Sequence, residues 1–163
     1  MENRLLRAAP DMPEKTILVL GVGNILLSDE GVGVQVAQRL QAMNLPPEVE
    51  VVDGGTAGYE LIEFFRNKKK VVVVDCLRAD EPPGSIIRAS PDELDLQWQT
   101  PLSVHQSGLR ELLQHAASLS PSPEIVILGI VPENTDSPGM NLSKTVEGVI
   151  DRVISDVSAL ISA

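Results

Sequence analysis

The chain has 163 residues, a formal charge of −10 and 43% hydrophobic residues, and aromatic residues make up only 2% of it. A length of this order suits one domain with a sizeable aliphatic core. The negative charge repels phosphate backbones and anionic membrane surfaces, and no apolar stretch approaches the ~20 residues of a membrane span. We therefore expect neither a nucleic acid partner nor a membrane partner. The single cysteine, Cys76, allows no internal disulfide and fits a cytoplasmic location.

The predicted strands follow a short leading segment. We expect residues 1–14 to be a mobile N-terminal extension and residues 15–163 to form a single domain. Most of the strand candidates are nearly continuous in Val, Ile and Leu, which is typical of strands buried on both faces of a parallel sheet. The run at 84–90 is flanked by prolines and indicates an edge strand, for which an antiparallel direction is open. The strand candidates are 15–21, 49–54, 69–77, 84–90 and 123–131.

Helical patterns lie between and after these strands. The clearest is the last, where apolar residues recur with helical period up to Ile161 and Ser143 is a plausible N-cap. Strands that alternate with helices predict an α/β fold. We expect a three-layer sandwich, with a mostly parallel, twisted five-stranded sheet and helices on both faces. The predicted helices are 33–43, 59–68, 107–119 and 143–161.

Three acidic residues follow or end three of the predicted strands. Glu30 comes a short loop after the first strand, Asp53 ends the second and Asp75 ends the third. Ligands of open α/β sheets bind at the carboxyl ends of the parallel strands. The sequence therefore predicts a site where these acids converge.

The segment "GVGNILLSDEGVG" (21–33) has the strand, glycine turn and helix order of a phosphate-binding loop. However, Leu26 stands where the third glycine of the dinucleotide pattern would be. Asp29 and Glu30 add negative charge where a pyrophosphate needs positive potential. A nucleotide-binding oxidoreductase is therefore disfavoured. The simplest structural role for the two acids is stabilisation of the helix dipole, worth under ~1 kcal/mol each.

Two histidines have different predicted roles. The S-x-x-Q pattern at 103–106 predicts a helix that starts at Val104, with His105 in its first turn. Taken alone, His105 is most simply a surface residue, and His115, which points elsewhere on the same helix, is predicted to be one. Together with two strand-end carboxylates, however, an imidazole at position 105 could bind a divalent ion such as Zn²⁺ or Ni²⁺ and leave coordination positions open.

Two further residues have simple structural interpretations. Cys76 directly follows Asp75 in an extended strand, so the two side chains should face opposite sides of the sheet. Cys76 is therefore predicted to be a buried small hydrophobic residue rather than a nucleophile paired with His105. Asp53 could simply be a turn residue before two glycines.

Five blocks of the sequence together resemble the maturation endopeptidases of nickel–iron hydrogenases. They occur in the family's order and at similar separations, and they extend over most of the chain after the N-terminal extension. The resemblance is carried by "GVGNILLSDEGVG" (21–33), "DGGTAG" (53–58), "VVVVDCL" (71–77), "SVHQSGL" (103–109) and "GIVPE" (129–133).

The resemblance implies a specific activity. Such enzymes remove a short C-terminal peptide from the precursor of the hydrogenase large subunit after nickel has been inserted. The implied partner is that precursor, and the protease is expected to act as a monomer. The nickel would belong to the substrate and serve as a recognition handle, although the same site could hold another divalent ion such as zinc or cadmium. A non-enzymatic nickel or cofactor chaperone for hydrogenase assembly is the alternative.

The resemblance also implies roles for individual residues. The metal-binding positions of the family match Glu30, Asp75 and His105, and these are expected to take part in catalysis together with Asp53. Whether the metal or Asp53 activates the attacking water is left open. One departure is Cys76, where the family commonly has alanine. The substrate-binding turn that follows Asp53 would consist of Gly54, Gly55 and Thr56.

Overall fold

The computed structural model describes residues 13–97 and 104–163 of the chain. These ranges contain five strands, six α-helices and two short 3₁₀ turns, at 28–31 and 58–61. The strands are β1 (Ile17–Val22), β2 (Val49–Gly55), β3 (Lys70–Cys76), β4 (Ile86–Ala89) and β5 (Glu124–Ile130). The helices are α1 (Val32–Gln41), α2 (Ile62–Phe65), α3 (Pro91–Gln97), α4 (Val104–Ala116), α5 (Lys144–Glu147) and α6 (Ile150–Ile161).

The five strands form one sheet in the order β2-β1-β3-β5-β4. All neighbouring strands are parallel except β4, which runs antiparallel to β5 at one edge. The predicted three-layer α/β fold is therefore confirmed, as is the edge position of the strand predicted at 84–90. None of the helices in the described ranges is long and apolar enough to cross a membrane.

The core lies in two layers, one on each face of the sheet. Side chains of β3 alternate between them, as the period of a strand requires. Val72 and Val74 pack with α1, α5 and α6 on what we call the first face. Val71 and Val73 pack with α2, α3 and α4 on the second face. Because β3 is buried on both faces, its sequence is a continuous apolar run rather than an alternating one.

The helix predicted at 59–68 is wrong in its extent. Residues 58–61 form a 3₁₀ turn, and only Ile62–Phe65 is α-helical. Arg66 is already extended, and Asn67 has a left-handed backbone with φ of 61°. A left-handed asparagine is a common way to end a helix, so the chain reaches β3 sooner than its hydrophobic period indicated.

The last predicted helix, 143–161, is interrupted. Ser143 caps α5 as predicted, since its side chain accepts a hydrogen bond from the Val146 amide at 3.3 Å. Gly148 and Val149 then separate α5 from α6. Glycine has a low helix propensity, which accounts for a break within an otherwise periodic apolar pattern.

Helix α3 was not predicted from the sequence. It begins with Pro91 and is preceded by a capping box in which the Glu93 amide donates to Ser90 Oγ and the Ser90 amide donates to Glu93 Oε2. The capping box predicted before α4 involves Ser103, which lies outside the described residues. Residues 1–12 of the predicted extension also lie outside them, so the boundary at residue 15 stays a prediction.

Two glycines bring α1 directly against the ends of β1 and β3. A Cβ atom on Gly33 would stand 2.2 Å from Val74 O and 2.4 Å from Val22 O. A Cβ atom on Gly21 would stand 2.1 Å from Gly33 O. The opposing atoms are backbone atoms and cannot rotate away, so only glycine allows this approach.

We predict that Gly33→Ala lowers the free energy of unfolding by about 3 kcal/mol, the upper end for an overpacked site, because α1 must move off the sheet. Urea unfolding would measure the change. Gly139→Ala is the matched control, because its Cβ atom would meet only Ser28 Oγ, at 3.4 Å. Equal stabilities of the two variants would contradict the prediction.

Candidate functional site

Asp75 and His105 form a buried pair at the carboxyl ends of the strands. Asp75 is the penultimate residue of β3, and His105 lies in the first turn of α4. The His105 Nε2 atom is 3.5 Å from Asp75 Oδ1, and both side chains are more than nine-tenths buried. The sequence placed His105 in the first turn correctly, but the simple expectation that it is a surface residue is wrong.

The pair has perturbed protonation. Burial raises the pKa of Asp75 above its usual value, against the lowering influence of His105 and the Cys76 amide. Burial alone would lower the pKa of His105, but its contact with Asp75 and the charges of Asp75 and Glu30 outweigh that effect and raise the pKa. The pair therefore holds a proton more firmly than either isolated group, and a bound cation would have to displace it.

Glu30 approaches this pair from the turn between β1 and α1. Its side chain is buried, and its charge acts on both Asp75 and His105. Gly23 permits this arrangement. A Cβ atom there would stand 1.9 Å from Glu30 O and 3.7 Å from Asp75 Oδ1, and the φ of Gly23 is 140°. The glycine turn thus lets the backbone of Glu30 lie directly on the strand end, next to Asp75.

The convergence of these three residues stops short of a formed metal centre. Within residues 13–97 and 104–163, no three His, Cys, Asp or Glu side chains already have the arrangement of a metal site. Asp75 and His105 are in contact, whereas the Glu30 carboxylate does not complete a three-residue group with them. The assignment of Glu30, Asp75 and His105 as metal ligands therefore stays a prediction.

Asp53 lies apart from the pair. It is exposed near the end of β2, an edge strand separated from β3 by β1. Its Oδ2 atom accepts a hydrogen bond from Gln38 of α1 at 3.1 Å, on the first face of the sheet, whereas His105 comes from α4 on the second face. Its Oδ1 atom accepts a bond from the Gly55 amide at 3.1 Å. Asp53 therefore shapes the turn that follows it, and its catalytic role stays a prediction.

The residues of that turn divide into two groups. Gly54 is buried, and a Cβ atom on it would meet Leu20, Leu61 and Val22 side chains at 2.8–3.1 Å. Gly55 and Thr56 instead line a small pocket. The pocket joins the turn to His105 and has an apolar wall, and it is lined by Val22, Gly55, Thr56, Gly58, Leu61, His105, Leu109 and Leu112.

The position of His105 depends on close contact between α4 and this turn. Gly58 has a φ of 65°, and a Cβ atom on it would be 3.3 Å from the Cα atom of Gly108. A Cβ atom on Gly108 would be 3.1 Å from the Cα atom of Gly58. The two glycine backbones therefore pack against each other, and this contact holds the first turn of α4 near the strand ends.

Two other candidates have the structural roles that the sequence predicted. His115 is exposed on α4, where its Nδ1 atom is 2.9 Å from Glu111 O and its ring meets the Tyr59 ring edge-on. Cys76 is 4% exposed and packs on the first face, away from Asp75 and His105. Burial, reinforced by nearby acidic charges, raises the pKa of the Cys76 thiol, so it is a poor nucleophile.

Sequence reasoning missed the role of Asp29. Stabilisation of the helix dipole was expected, but the side chain is fully buried and its carboxylate is surrounded by hydrogen-bond donors from the segment 133–143. The sequence offered one signal of this role, which is that Asp29 directly precedes another acid, Glu30. Nothing in the pattern showed that the Asp29 side chain is enclosed.

Comparison with known proteins identifies the family. A model of the hydrogenase maturation protease family matches residues 34–159. The Hydrogenase 2 maturation protease of Escherichia coli strain K12 is 36% identical over 146 residues, which cover 88% of each chain. The chain belongs to the hydrogenase maturation protease family. The hydrogenase expression/formation protein HupD of Rhizobium leguminosarum is 34% identical to this protease. The match covers 87% of the protease and 72% of HupD.

Solved structures agree with this assignment. The hydrogenase maturating endopeptidase HybD from Escherichia coli superposes with a TM-score of 0.78 at 34% identity, covering 90% of the protease and 91% of that chain. The [NiFe] hydrogenase maturation protease HybD from Thermococcus kodakarensis gives a TM-score of 0.73 at 25% identity, covering 88% and 97%. The resemblance noted in the sequence is confirmed, and the chain is a peptide-bond hydrolase rather than a non-enzymatic chaperone.

We predict that Asp75→Asn lowers the pKa of His105. The substitution removes the contact and the negative charge that raise this pKa, while burial, which lowers it, remains. An NMR titration of the two imidazoles would measure the change, and the resonances of exposed His115 provide an internal control. An unchanged or higher pKa of His105 would show that Asp75 does not govern its protonation.

Proposed function

We propose that this protease removes the C-terminal peptide from the precursor of a nickel–iron hydrogenase large subunit, after nickel has been inserted. The substrate's own nickel is the recognition handle, and Glu30, Asp75 and His105 bind it. The observation that carries the proposal is the buried Asp75–His105 pair at the strand ends, with the Glu30 charge acting on both groups, in a member of this protease family.

The spacing within the pair supports cation binding. Two donors that each lie about 2.1 Å from a tetrahedral ion are separated by about 3.4 Å. The observed separation between His105 Nε2 and Asp75 Oδ1 is 3.5 Å. An ion could therefore bind both atoms with little movement of either side chain, and only Glu30 would have to close in. A zinc-like or cadmium ion would meet the same donors, because an open site of carboxylates and imidazole accepts several metals.

The charges of the site favour a cation in the same way. Two buried carboxylates and one imidazole carry net negative charge even when the imidazole is protonated. Release of the proton from the pair upon metal binding would leave two negative ligands and one neutral ligand, a set that suits a borderline divalent ion. A nickel ion carried by the precursor would relieve the repulsion between Glu30 and Asp75, so the filled substrate would bind better than the empty one.

The turn after Asp53 provides the second part of the site. The pocket between Thr56 and His105 lies beside the Asp75–His105 pair, and its wall includes Leu109 and Leu112. We propose that Gly55 and Thr56 line the path of the substrate backbone, so that the peptide bond to be cut passes close to the bound nickel, while Gly54 supports the turn by packing against the core. Either the metal or the Asp53 carboxylate would then activate water.

The proposal also includes the setting of the reaction. A chain with a formal charge of −10 and one buried cysteine suits a monomeric protease in the reducing cytoplasm, with no nucleic acid or membrane partner. Its macromolecular partner is the hydrogenase large-subunit precursor.

We predict that Glu30→Gln, Asp75→Asn and His105→Ala each abolish cleavage of a nickel-loaded precursor while the fold is retained. Each change removes a proposed ligand or its negative charge from a strand-end site, and none removes a residue of the two apolar layers. The wild-type protease should leave a nickel-free precursor intact. Mass measurement of the large subunit after incubation would report cleavage, and circular dichroism would report folding.

Two results would refute the requirement for nickel in the precursor, which we call the nickel gate. One is full cleavage of the loaded precursor by both Glu30→Gln and His105→Ala. The other is equal cleavage of loaded and nickel-free precursors by the wild-type protease. His115→Ala is the matched control, because this second histidine lies on the same helix but is exposed. It should cleave like wild type.

We predict that Asp53→Asn reduces cleavage without weakening nickel recognition. An amide oxygen can still accept the Gly55 N–H bond, so the turn should persist, and the loss would report the missing negative charge. Asp53→Ala, which removes both the charge and the turn bond, is the comparison. Full cleavage by the Asn variant together with loss in the Ala variant would limit Asp53 to shaping the turn. Binding and cleavage of the nickel-loaded precursor would be measured separately.

A further inference from the structure

The carboxylate of Asp29 is enclosed by donors from a distant part of the chain. Its Oδ2 atom accepts bonds from the Glu133 amide (3.0 Å), the Asn134 amide (2.8 Å) and Ser143 Oγ (2.9 Å), and its Oδ1 atom accepts a bond from the Ser143 amide (2.7 Å). The Asp29 amide itself donates to Asn134 O at 3.0 Å. The Asp29 side chain is fully buried. One residue thus joins the turn at 28–31 to the segment that follows β5 and to the start of α5.

This network requires a hydrogen-bond acceptor at position 29. An ionised carboxylate accepts several N–H and O–H bonds, whereas an apolar side chain at the same position would leave these donors without their present acceptor. The bonds at Glu133 and Asn134 fix the loop on one side of the carboxylate, and those at Ser143 fix the N-cap of α5 on the other. The orientation of the peptide that carries Asp29 is therefore set from two directions.

Glu30 is the next residue, so its backbone shares this constraint. On its inner side, the Glu30 carbonyl lies against Gly23 at the end of β1, where no Cβ atom would fit. On its outer side, Asp29 is held by the segment 133–143. The backbone of Glu30 is therefore held between the sheet and that segment, at a position from which its charge acts on both Asp75 and His105.

We infer that Asp29 is a positioning residue that holds Glu30 in place for nickel recognition by tying its backbone to residues 133–143. This inference rests on the function proposed above. It predicts that loss of the Asp29 carboxylate impairs the same step as loss of the Glu30 carboxylate, although the Asp29 side chain is fully buried.

Other bonds should keep the segment attached when Asp29 is replaced. The Ser28 amide donates to Gly139 O at 2.8 Å, Ser28 Oγ donates to Ser137 O at 2.8 Å, and the Gly139 amide donates to Leu26 O at 2.9 Å. The turn and the segment therefore remain joined in Asp29 variants, and the expected defect is a misplaced Glu30 rather than a lost loop.

The test is the affinity of each variant for two probes, the nickel-loaded large-subunit precursor and the same precursor without nickel. For wild type, the loaded probe should bind more tightly. For Asp29→Ala, we expect this preference to fall roughly 100-fold, the upper end for loss of a group that orients a metal ligand, with unchanged affinity for the nickel-free probe. Glu30→Gln is the benchmark and should show the same pattern. Asp29→Asn keeps one acceptor oxygen and should rescue part of the preference.

Lys68→Met is the matched control for a purely structural effect. Lys68 is also buried, and its Nζ atom bonds Glu50 Oε2 at 2.7 Å and Lys15 O at 2.6 Å near the start of the sheet, away from the strand ends. Its replacement should lower stability without changing the preference for nickel. If Asp29 had only a structural role, Asp29→Ala would likewise lower stability and leave the preference for the nickel-loaded probe unchanged.

The outcomes distinguish a failure of nickel recognition from a failure of the positioning role of Asp29. A wild-type protease that binds both probes equally would overturn the nickel gate and this inference together. A wild type that prefers the loaded probe, with an Asp29→Ala variant that does so equally, would overturn the inference alone. If the Ala variant does not fold, Asp29→Asn decides, since an undiminished preference in that variant would also reject the positioning role.

Discussion

Backbone-to-backbone contact between α1 and the ends of β1 and β3 is the constraint on which the site depends. Gly21 and Gly33 leave no room for a side chain between helix and sheet. The connection from β1 to α1 must therefore turn sharply within the few residues that include Glu30. A helix held further from the sheet would carry this acid away from Asp75. The glycines of this segment, which in other folds cradle a phosphate, here bring a carboxylate to the strand ends.

The charges gathered by this packing oppose one another unless a cation intervenes. Asp75 is buried between β strands and α4, and Glu30 adds a second negative charge nearby. The imidazole of His105 partly compensates them, which is why its pKa is raised despite its burial. The repulsion between the two carboxylates would be relieved by a bound divalent ion. If the proposed recognition of the substrate's nickel holds, this property matters more to the protease than a permanently filled metal centre would.

The sequence was sufficient for the parts of the structure that depend on local pattern. Continuous apolar runs marked the strands, and the rule for strand ends brought Glu30 and Asp75 to the same edge of the sheet. The two-residue period of a strand also predicted correctly that the side chains of Cys76 and Asp75 lie on opposite faces of the sheet. The capping box at Ser90 was equally local, and α3 could have been predicted from it.

Other features depend on contacts between distant segments and left little trace in the sequence. The burial of His105 follows from the approach of Gly58 to Gly108, fifty positions apart in the chain. The enclosure of Asp29 needs amides of residues 133–143, and no periodicity encodes such a meeting. Asp53 was grouped with the other acids by the strand-end rule, but its side chain turned to the face of α1. A residue at the carboxyl end of a strand reaches the carboxyl edge of the sheet. Which face its side chain lies on depends on the alternation of side chains along the strand.

The orientation of Cys76 also bears on how the enzyme would respond to its chemical surroundings. Its thiol lies under α1 and α6, with the sheet between it and the Asp75–His105 pair, and it is held in the protonated form. Alkylating reagents and mild oxidants act on exposed thiolates. Such agents would have little to modify while the fold is intact, and the inhibitor profile would differ from that of a cysteine protease. A thiol next to the key aspartate in the sequence is thus insulated from the chemistry of the site by the thickness of one sheet.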